Sequence, residues 1–395
     1  MRAPNLSNST NSMVIVSDSC RPKFVLHRPF FCVSLMIGKF TADYYKPINC
    51  LMNFNAITIK DIARELGLSI STVSKALSDS YEISEKTKKL VIEYAKKNDY
   101  RANPIAKSLK QGNSKSIGIV VSTIENNFFS QVINGIESVA YSKGYNVIIT
   151  QTHESYDLEV LNVKHLTFRS VDGILISPST ETNDVEHLNV LHKKGLPIVF
   201  FDRISNGFDT HKVIADNHAG AYEGAAHLIN SGYKKIAHVT SSSNVSITRE
   251  RLAGYRKALE DNGIAFNDNY VKYCLHGGRD LEEIKGALND LLSMNNRPDA
   301  IFTASDRITV TTLLLLHELK IKIPEEIALL GFTNTQLADV LNPSLSSIYQ
   351  PGFEIGENAA EMLIGLIESK RPVTEFETRV LPTQLFIRNS STPCR

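Results

Sequence analysis

Between residues 116 and 390 the chain repeats a pattern of short apolar runs, eight in all, separated by segments with helical periodicity. Nearly continuous apolar strands joined by helices are typical of parallel sheets that are covered on both faces. The stretch is longer than one sheet of ordinary size requires, so it predicts two α/β lobes. The runs are IGIVVS (117–122), NVIIT (146–150), GILIS (173–177), PIVFFD (197–202), KVIAD (212–216), KIAHVT (235–240), AIFTAS (300–305) and IALLGF (327–332).

The charge of the 395 residues is unevenly distributed, although the net charge is only +1. Residues 56–115 hold twelve basic and seven acidic side chains, and residues 1–55 hold six basic and two acidic ones. The remainder is therefore net acidic. A basic head on an acidic body is typical of a polyanion-binding module joined to another domain. A solvated charged face is the alternative, and charge alone does not decide between them.

Residues 56–102 have the signals of three short, capped helices. Thr58 and Asp61 form a capping box, apolar residues follow at helical spacing, and Gly67 ends the first helix. Ser69 and Ser84 are placed to cap two more helices. Two helices joined by a tight turn and braced by a third are typical of a helix-turn-helix module, whose second helix enters the major groove of DNA.

The second of these helices lies in the stretch LSISTVSKALS (68–78), where polar side chains surround few apolar anchors. A core helix would have a broad apolar stripe. With Val73 and Leu77 turned inward, the outward groups suit base edges and phosphates. A small surface helix pair is the competing interpretation. The outward polar residues are Ser71, Thr72, Ser74 and Lys75.

Two further segments flank this head. Residues 103–115 begin with Asn103 and Pro104, a good helix start, and continue to Lys110 before a polar linker. Such a short helix needs a partner helix or DNA to form. Residues 1–55 lack a folding pattern, so we expect either an extension without fixed structure or translation from Met52. The apolar run at 30–38 lacks a clear cleavage site for export.

The segment TIKDIARELGLSISTVSKAL, with ISEKTKKLVIEYAKKNDYRANPIAKSLKQGNSKSIGIVV after it, resembles the lactose-repressor (LacI/GalR) family of bacterial transcription regulators. The resemblance implies that the fourth helix is a hinge, ordered on operator binding, whose Leu109 wedges into a base step in the minor groove. The family's usual arginine late in the recognition helix is Lys75, which lacks the bidentate fork for guanine. The predicted DNA-binding residues are Thr58, Ile70, Ser71, Thr72, Ser74, Lys75, Asn103, Lys107 and Leu109.

The same resemblance implies a periplasmic-binding-protein-like body at 116–390, with two lobes that the chain crosses three times. By analogy the crossings lie near 204–211, 333–336 and 350–352. The fold class predicted from these observations is α/β: an N-terminal helix-turn-helix head and a two-lobed body with parallel sheets. We also expect a homodimer, because one recognition helix reads too few bases and two half-sites of a palindrome supply the rest.

Ligands of open α/β sheets bind beyond the carboxyl ends of the strands. An aromatic ring with scattered carboxylates, amides and guanidinium groups suits a polyhydroxylated ligand, so we expect a sugar or sugar derivative as the effector. Each residue also has a structural interpretation, such as a helix cap, an ion pair or a core position. Ser241, Ser242 and Ser243 replace a Gly-Gly-Pro turn common in the family. The strand ends carry Asn127, Phe128, Phe129, Asp202, Arg203, Asp216, Asn217, Arg249, Arg251, Ser305 and Asp306. The family resemblance implies that Phe128, Asp202, Arg251 and Asp306 line the effector cleft, and with Asn127 these are the predicted effector-binding residues.

Two other function classes compete with an effector-controlled repressor: a solute-binding protein and a small-molecule enzyme on the same two lobes. The sequence lacks a glycine-rich phosphate loop, GxSxG and HExxH, and HGGRD (276–280) is a weak fragment. The five cysteines are too few and too scattered for a disulfide framework. We therefore expect a cytoplasmic protein without catalytic residues, metal or cofactor.

Overall fold

The computed structural model describes residues 57–100, 113–205 and 207–393. The predictions for residues 1–55 and for the hinge residues Asn103, Lys107 and Leu109 lie outside these ranges. In the described residues no helix is both long and apolar enough to cross a membrane.

The head contains three helices: α1 (Ile59–Leu66), α2 (Ile70–Leu77) and α3 (Glu85–Lys97). The predicted caps are confirmed. Thr58 and Asp61 form a reciprocal capping box, and Gly67 ends α1 in the left-handed conformation that glycine adopts without strain. The hydroxyls of Ser69 and Ser84 accept hydrogen bonds from backbone N–H groups in the first turns of α2 and α3.

A small apolar core holds these helices together. Ile62 from α1, Val73 and Ala76 from α2, and Val91 from α3 are fully buried. Leu77, predicted as the second anchor of α2, packs against this core while remaining partly exposed. The inner face of α2 is therefore narrow, which leaves most of its circumference to the polar residues described above.

Lobe 1 is a six-stranded, fully parallel sheet in the order β11-β5-β4-β3-β1-β2. Apolar clusters cover both faces, as the strand pattern predicts. Its strands are β1 (Ser116–Val121), β2 (Asn146–Gln151), β3 (Gly173–Ile176), β4 (Ile198–Phe201), β5 (Lys212–Ala215) and β11 (Thr378–Leu381). Its helices are α4 (Asn127–Ser142), α5 (Tyr156–Phe168), α6 (Glu186–Lys193) and α11 (Gly352–Glu368).

Lobe 2 repeats the plan with strand order β12-β10-β9-β8-β6-β7, in which only β12 pairs antiparallel with its neighbour. Its strands are β6 (Ile236–Ser241), β7 (Val271–Cys274), β8 (Ala300–Thr303), β9 (Ala328–Phe332), β10 (Ser346–Tyr349) and β12 (Gln384–Phe386). Its helices are α7 (Asn217–Asn230), α8 (Ser246–Asp261), α9 (Leu281–Leu292) and α10 (Asp306–Glu318). The predicted fold class, a helix-turn-helix head and two lobes of parallel sheet, is confirmed.

The chain crosses between the lobes three times, as expected, but two of the three predicted positions are wrong. The first crossing follows β5 and leads into α7 from Asp216, after the predicted 204–211, because β5 still pairs in lobe 1. The second, at 350–352, is where it was predicted. The third joins β11 to β12 at 382–383. Residues 333–336 are not a crossing, because β9 and β10 pair with each other in lobe 2.

The second crossing brings α11 back against α4 of lobe 1 at very short range. A Cβ atom placed on Gly135 would lie 2.0 Å from the carbonyl oxygen of Phe353, and one on Gly356 would lie 2.0 Å from that of Val132. Backbone occupies the space that a side chain would need, so both positions require glycine. This contact fixes the returning helix on the sheet that carries one wall of the cleft described below.

Candidate functional site

The outward face of α2 carries small polar groups on a rigid support. Ser71 is exposed, and Ile70 beside it is 48% exposed. Ser74 is half-buried. The Thr72 hydroxyl lies 2.8 Å from that of Ser69 and so belongs to the helix cap as well as to this face. The arrangement presents hydroxyl groups that can donate to or accept from base edges and phosphates.

Besides Thr72, two more of the predicted DNA-binding residues already have partners within the head. The ammonium group of Lys75 donates to the carboxylate of Glu82, in the loop between α2 and α3. Both side chains are nearly half exposed, so the pair contributes little stability and a phosphate or a base can replace the carboxylate. Thr58 is exposed, and its hydroxyl bonds to the Asp61 carboxylate at 2.6 Å within the capping box.

A second site lies between the lobes. Two adjoining cavities, of about 270 and 310 Å³, open at the carboxyl ends of strands from both sheets. His153, Glu154 and Arg279 line both, so the cavities form one space, which we call the interlobe cleft. From lobe 1 it is lined by Ser122, Thr123, Glu125, Asn126, Phe129, His153, Glu154, Ser155, Thr180, Glu181 and Arg203, and from lobe 2 by His276, Gly277, Arg279, Asp280, Ser305 and Arg307.

Asp202 and Arg251 lie beneath the cleft lining. Asp202 ends β4 with a left-handed backbone conformation, is 5% exposed, and accepts a hydrogen bond from the Ser177 hydroxyl at 3.2 Å. Arg251 is 2% exposed, and its Nε donates to Asn217 at 2.8 Å. Burial raises the pKa of Asp202 and lowers that of Arg251 to about 10, while the attraction between the two charges opposes both shifts.

The guanidinium group of Arg251 has two further partners besides Asn217. It donates to the carbonyl oxygen of Ala304 and lies 3.8 Å from the centroid of the Phe332 ring. A buried cation with these partners supports the end of β8 and the start of α10, which border the cleft. To reach a ligand directly, the side chain would have to leave these partners.

Asn127 and Asp306 come together although they belong to different lobes. The Asp306 carboxylate, at the start of α10, accepts hydrogen bonds from the backbone of Asn127 and Asn334 and from the Thr333 hydroxyl. Burial raises its pKa, and these hydrogen bonds counteract part of the rise. Asn127 itself is exposed. The contact between Asn127 and Asp306 therefore holds the two lobes together at this point, and a change in the cleft would affect both residues.

Phe128 and Phe129 are 4% and 2% exposed and both pack in the lobe 1 core, but only Phe129 also lines the cleft. The two rings meet edge to face with centroids 5.4 Å apart, so Phe128 supports Phe129 from behind. The five residues predicted to bind the effector thus lie beside or beneath the interlobe cleft and do not line it, whereas five of their immediate neighbours do: Asn126, Phe129, Arg203, Ser305 and Arg307. Their roles in binding stay predictions.

The strongest ion pair of the cleft joins Arg203 and Glu154. Two nitrogens of the guanidinium group donate to the two carboxylate oxygens, at 2.6 and 2.9 Å. Burial pushes the pKa of Glu154 upward, but the charge and hydrogen bonds of Arg203 outweigh burial, and the pKa lies below its ordinary value. Both side chains are therefore charged at neutral pH, and the two charges neutralise each other.

Several lining residues were not singled out from the sequence, although strand-end signals for them exist. His153 and Glu154 follow the run NVIIT, Arg307 follows Asp306, and Arg279 lies in HGGRD, which follows the unpredicted strand β7. With β7 predicted, HGGRD would have been recognised as a segment that follows the end of a strand, and so as a candidate for the cleft lining. In the residues that the structure describes, no group of three or more metal-type side chains is placed to hold a metal ion.

Comparison with known proteins agrees with this geometry. Residues 58–103 match the family model of bacterial regulatory proteins of the lacI family. Residues 225–391 match the model of a periplasmic binding protein-like domain. A structure of the lac repressor dimer bound to operator and an anti-inducer has the same fold, with a TM-score of 0.71 and 22% identity over 85% of this chain and 99% of that one.

Relatives with closer sequences share nearly the whole length. The HTH-type transcriptional repressor PurR of Vibrio campbellii is 31% identical over 84% of this chain and 98% of its own. The ribose operon repressor of Haemophilus influenzae has the same identity and the same coverage of both chains. The resemblance seen in the head sequence is confirmed, and the chain belongs to the lacI family of bacterial regulatory proteins.

Proposed function

We propose that this regulator represses transcription in the cytoplasm by binding a palindromic operator as a homodimer, and that a small molecule in the interlobe cleft sets its operator affinity. The observation that carries the proposal is the outward face of α2, which is polar and exposed on a fully packed three-helix head. A free solute-binding protein or an enzyme built on the two lobes would have no use for such a face. The match of residues 58–103 to the family's regulatory model supports the same assignment.

On the DNA side, we assign residues 56–102 to the DNA-binding domain and 103–115 to the hinge and linker. Ile70, Ser71, Thr72, Ser74 and Lys75 are assigned to the major groove, because they lie along the outer side of α2. Thr58 is assigned to the phosphate backbone at the start of α1, where a helix N-terminus attracts anions. Asn103, Lys107 and Leu109 are assigned to the minor groove by the family resemblance alone.

On the effector side, we assign residues 116–390 to the two-lobed body, with the ligand between the lobes. Asn127, Phe128, Asp202, Arg251 and Asp306 hold the walls in place, and the lining residues make most of the contacts. A ligand that touches both walls binds the closed lobes more tightly than the open ones, and only such a difference can shift an equilibrium. The name of the ribose operon repressor relative supports a sugar or sugar derivative.

Selection of bound fragments from genomic DNA by the full chain tests the proposal. We expect recovered fragments to share one palindrome whose half-site centres are about one helical turn, or a multiple of it, apart. Recovery of DNA without a shared sequence would contradict the proposal. A small-molecule turnover assay without DNA would reveal the competing enzyme function.

Replacing Lys75 with alanine is expected to change the preference among half-site sequences, if its ammonium group leaves Glu82 to bind a base. If it binds only phosphate, all sequences lose affinity alike and the salt slope falls by about one. The measurement is a competition assay with operators altered at single base pairs. The control is Lys86→Ala, because Lys86 is an exposed lysine at the start of α3. If the affinity for every DNA sequence were unchanged, Lys75 would not belong to the DNA-binding interface.

A further inference from the structure

The charged side chains that line the interlobe cleft differ in how firmly they are held. Arg203 and Glu154 neutralise each other in a bidentate pair. Asp280 caps α9 by accepting from the backbone of Glu282, and Glu181 accepts from the backbone of Tyr156. Glu154, Glu181 and Asp280 are thus held in place by hydrogen bonds within the fold, although Glu181 and Asp280 keep their negative charges.

Two guanidinium groups are held much less firmly, and both come from lobe 2. Arg279 is exposed and donates to the carbonyl oxygen of His153 in lobe 1. In the part of the chain that the structure describes, it has no carboxylate partner. Arg307 lies 3.3 Å from the carboxylate of Glu125 in lobe 1, whose side chain is 79% exposed. An exposed ion pair of this kind is weak, so a ligand can displace Glu125.

The backbone contributes partial positive charge to a cleft whose lining carries four carboxylates and three arginines. Asn126, Ser155, Asp280 and Ser305 are the residues that precede four different helices, and all four line the cleft. Helices from both lobes therefore direct their N-terminal ends toward the same space, where partial positive charge favours an anion. Ser155 does not cap α5 with its side chain.

We propose that the effector is an anionic small molecule, a sugar or related compound with a phosphate or carboxylate group, and that Arg279 and Arg307 bind this group. Guanidinium groups recognise both kinds of oxyanion through paired, charge-assisted hydrogen bonds. This inference rests on the proposed function, in that the cleft is taken as the effector site. Because each arginine already contacts lobe 1 from lobe 2, an anion between them would bridge the lobes and favour their closed arrangement.

Calorimetric titration of the full chain tests the inference with D-ribose, D-glucose and D-galactose, each beside its terminal phosphate ester and its aldonic acid. We expect at least one charged compound to bind about tenfold or more tightly than its neutral parent sugar. Arg279→Gln and Arg307→Gln should each remove most of this preference, so that each variant binds the charged compound hardly more tightly than its neutral parent sugar. Arg249→Gln is the matched control, because Arg249 donates to the Ser243 and Asn244 carbonyl oxygens and does not line the cleft.

The inference is overturned if no charged compound binds, if neutral sugars bind as tightly as charged ones, or if both arginine variants bind the charged compound as the parent does. Melting temperatures of the variants close to that of the parent confirm that the substitutions leave the fold intact. A neutral compound that binds at least as tightly as its charged counterparts and changes the affinity for selected DNA would overturn the anion assignment alone, with the proposed function upheld. Failure to select a shared DNA sequence would instead contradict the proposed function.

Discussion

Replacing Arg251 with alanine is expected to lower the free energy of unfolding by about 3 kcal/mol or more. The substitution removes a buried cation that helps to offset the charge of buried Asp202, and it leaves Arg203 as the neighbouring cation of that carboxylate. It also leaves the Asn217 amide oxygen and the Ala304 carbonyl oxygen without this donor, and it removes the contact with the Phe332 ring. Equilibrium unfolding in urea, followed by circular dichroism, measures the loss.

The matched control for this measurement is Arg249→Ala. Arg249 lies on the same helix, two residues earlier, but is exposed and bonds only to carbonyl oxygens of the preceding turn. Its removal should change stability by less than about 0.5 kcal/mol, as for most surface substitutions. If the two variants unfold at the same urea concentration, Arg251 does not have the structural role described for it.

Leu109→Ala is expected to weaken binding to the specific operator about a hundredfold, or roughly 3 kcal/mol. The prediction comes from the family resemblance, because Leu109 lies outside the described residues. An apolar wedge acts only where the duplex is bent, so non-specific binding and its salt dependence should hardly change. The measurement is fluorescence anisotropy with operator and with unrelated DNA at several salt concentrations.

Leu90→Ala provides the comparison for this variant, since Leu90 is a half-exposed leucine on α3 of the same head. It should retain nearly the full operator affinity. Equal operator affinity of Leu109→Ala and the parent would show that Leu109 does not act as a wedge.

Features determined by neighbouring residues were predicted well from the sequence. The caps at Thr58, Ser69 and Ser84 are confirmed because a helix start depends on a hydroxyl and on backbone groups two or three positions away. The long apolar strands of both sheets were found for a similar reason, since burial on both faces leaves a continuous run in the sequence.

Features determined by distant residues were predicted less well. The crossings at 216 and at 382–383 depend on which sheet β5 and β12 join. The residues of these short strands do not encode the strand with which each of them pairs. β7 was missed because, as the edge strand of lobe 2, it is only partly buried and reads VKYC. HGGRD was consequently set aside, although its arginine lines the cleft.

Within the cleft, the strand-end rule identified the correct edge of each sheet, but the family resemblance then selected a neighbour of the residue that lines the cleft. Phe129 lines the cleft and Phe128 supports it, and Arg307 lines the cleft beside Asp306. Which of two adjacent side chains faces a cavity depends on the first turn of the following helix and on the packing beneath it. A single sequence does not contain that information.

A molecule bound between the lobes is expected to alter the affinity of the head for DNA. The most direct test is the dissociation constant of the full chain for its selected operator, measured with and without a saturating ligand identified by titration. We predict a change of about tenfold or more in either direction, within the usual range of coupling between two sites. An operator dissociation constant that is the same in both conditions, with the ligand shown to be bound, would contradict the account.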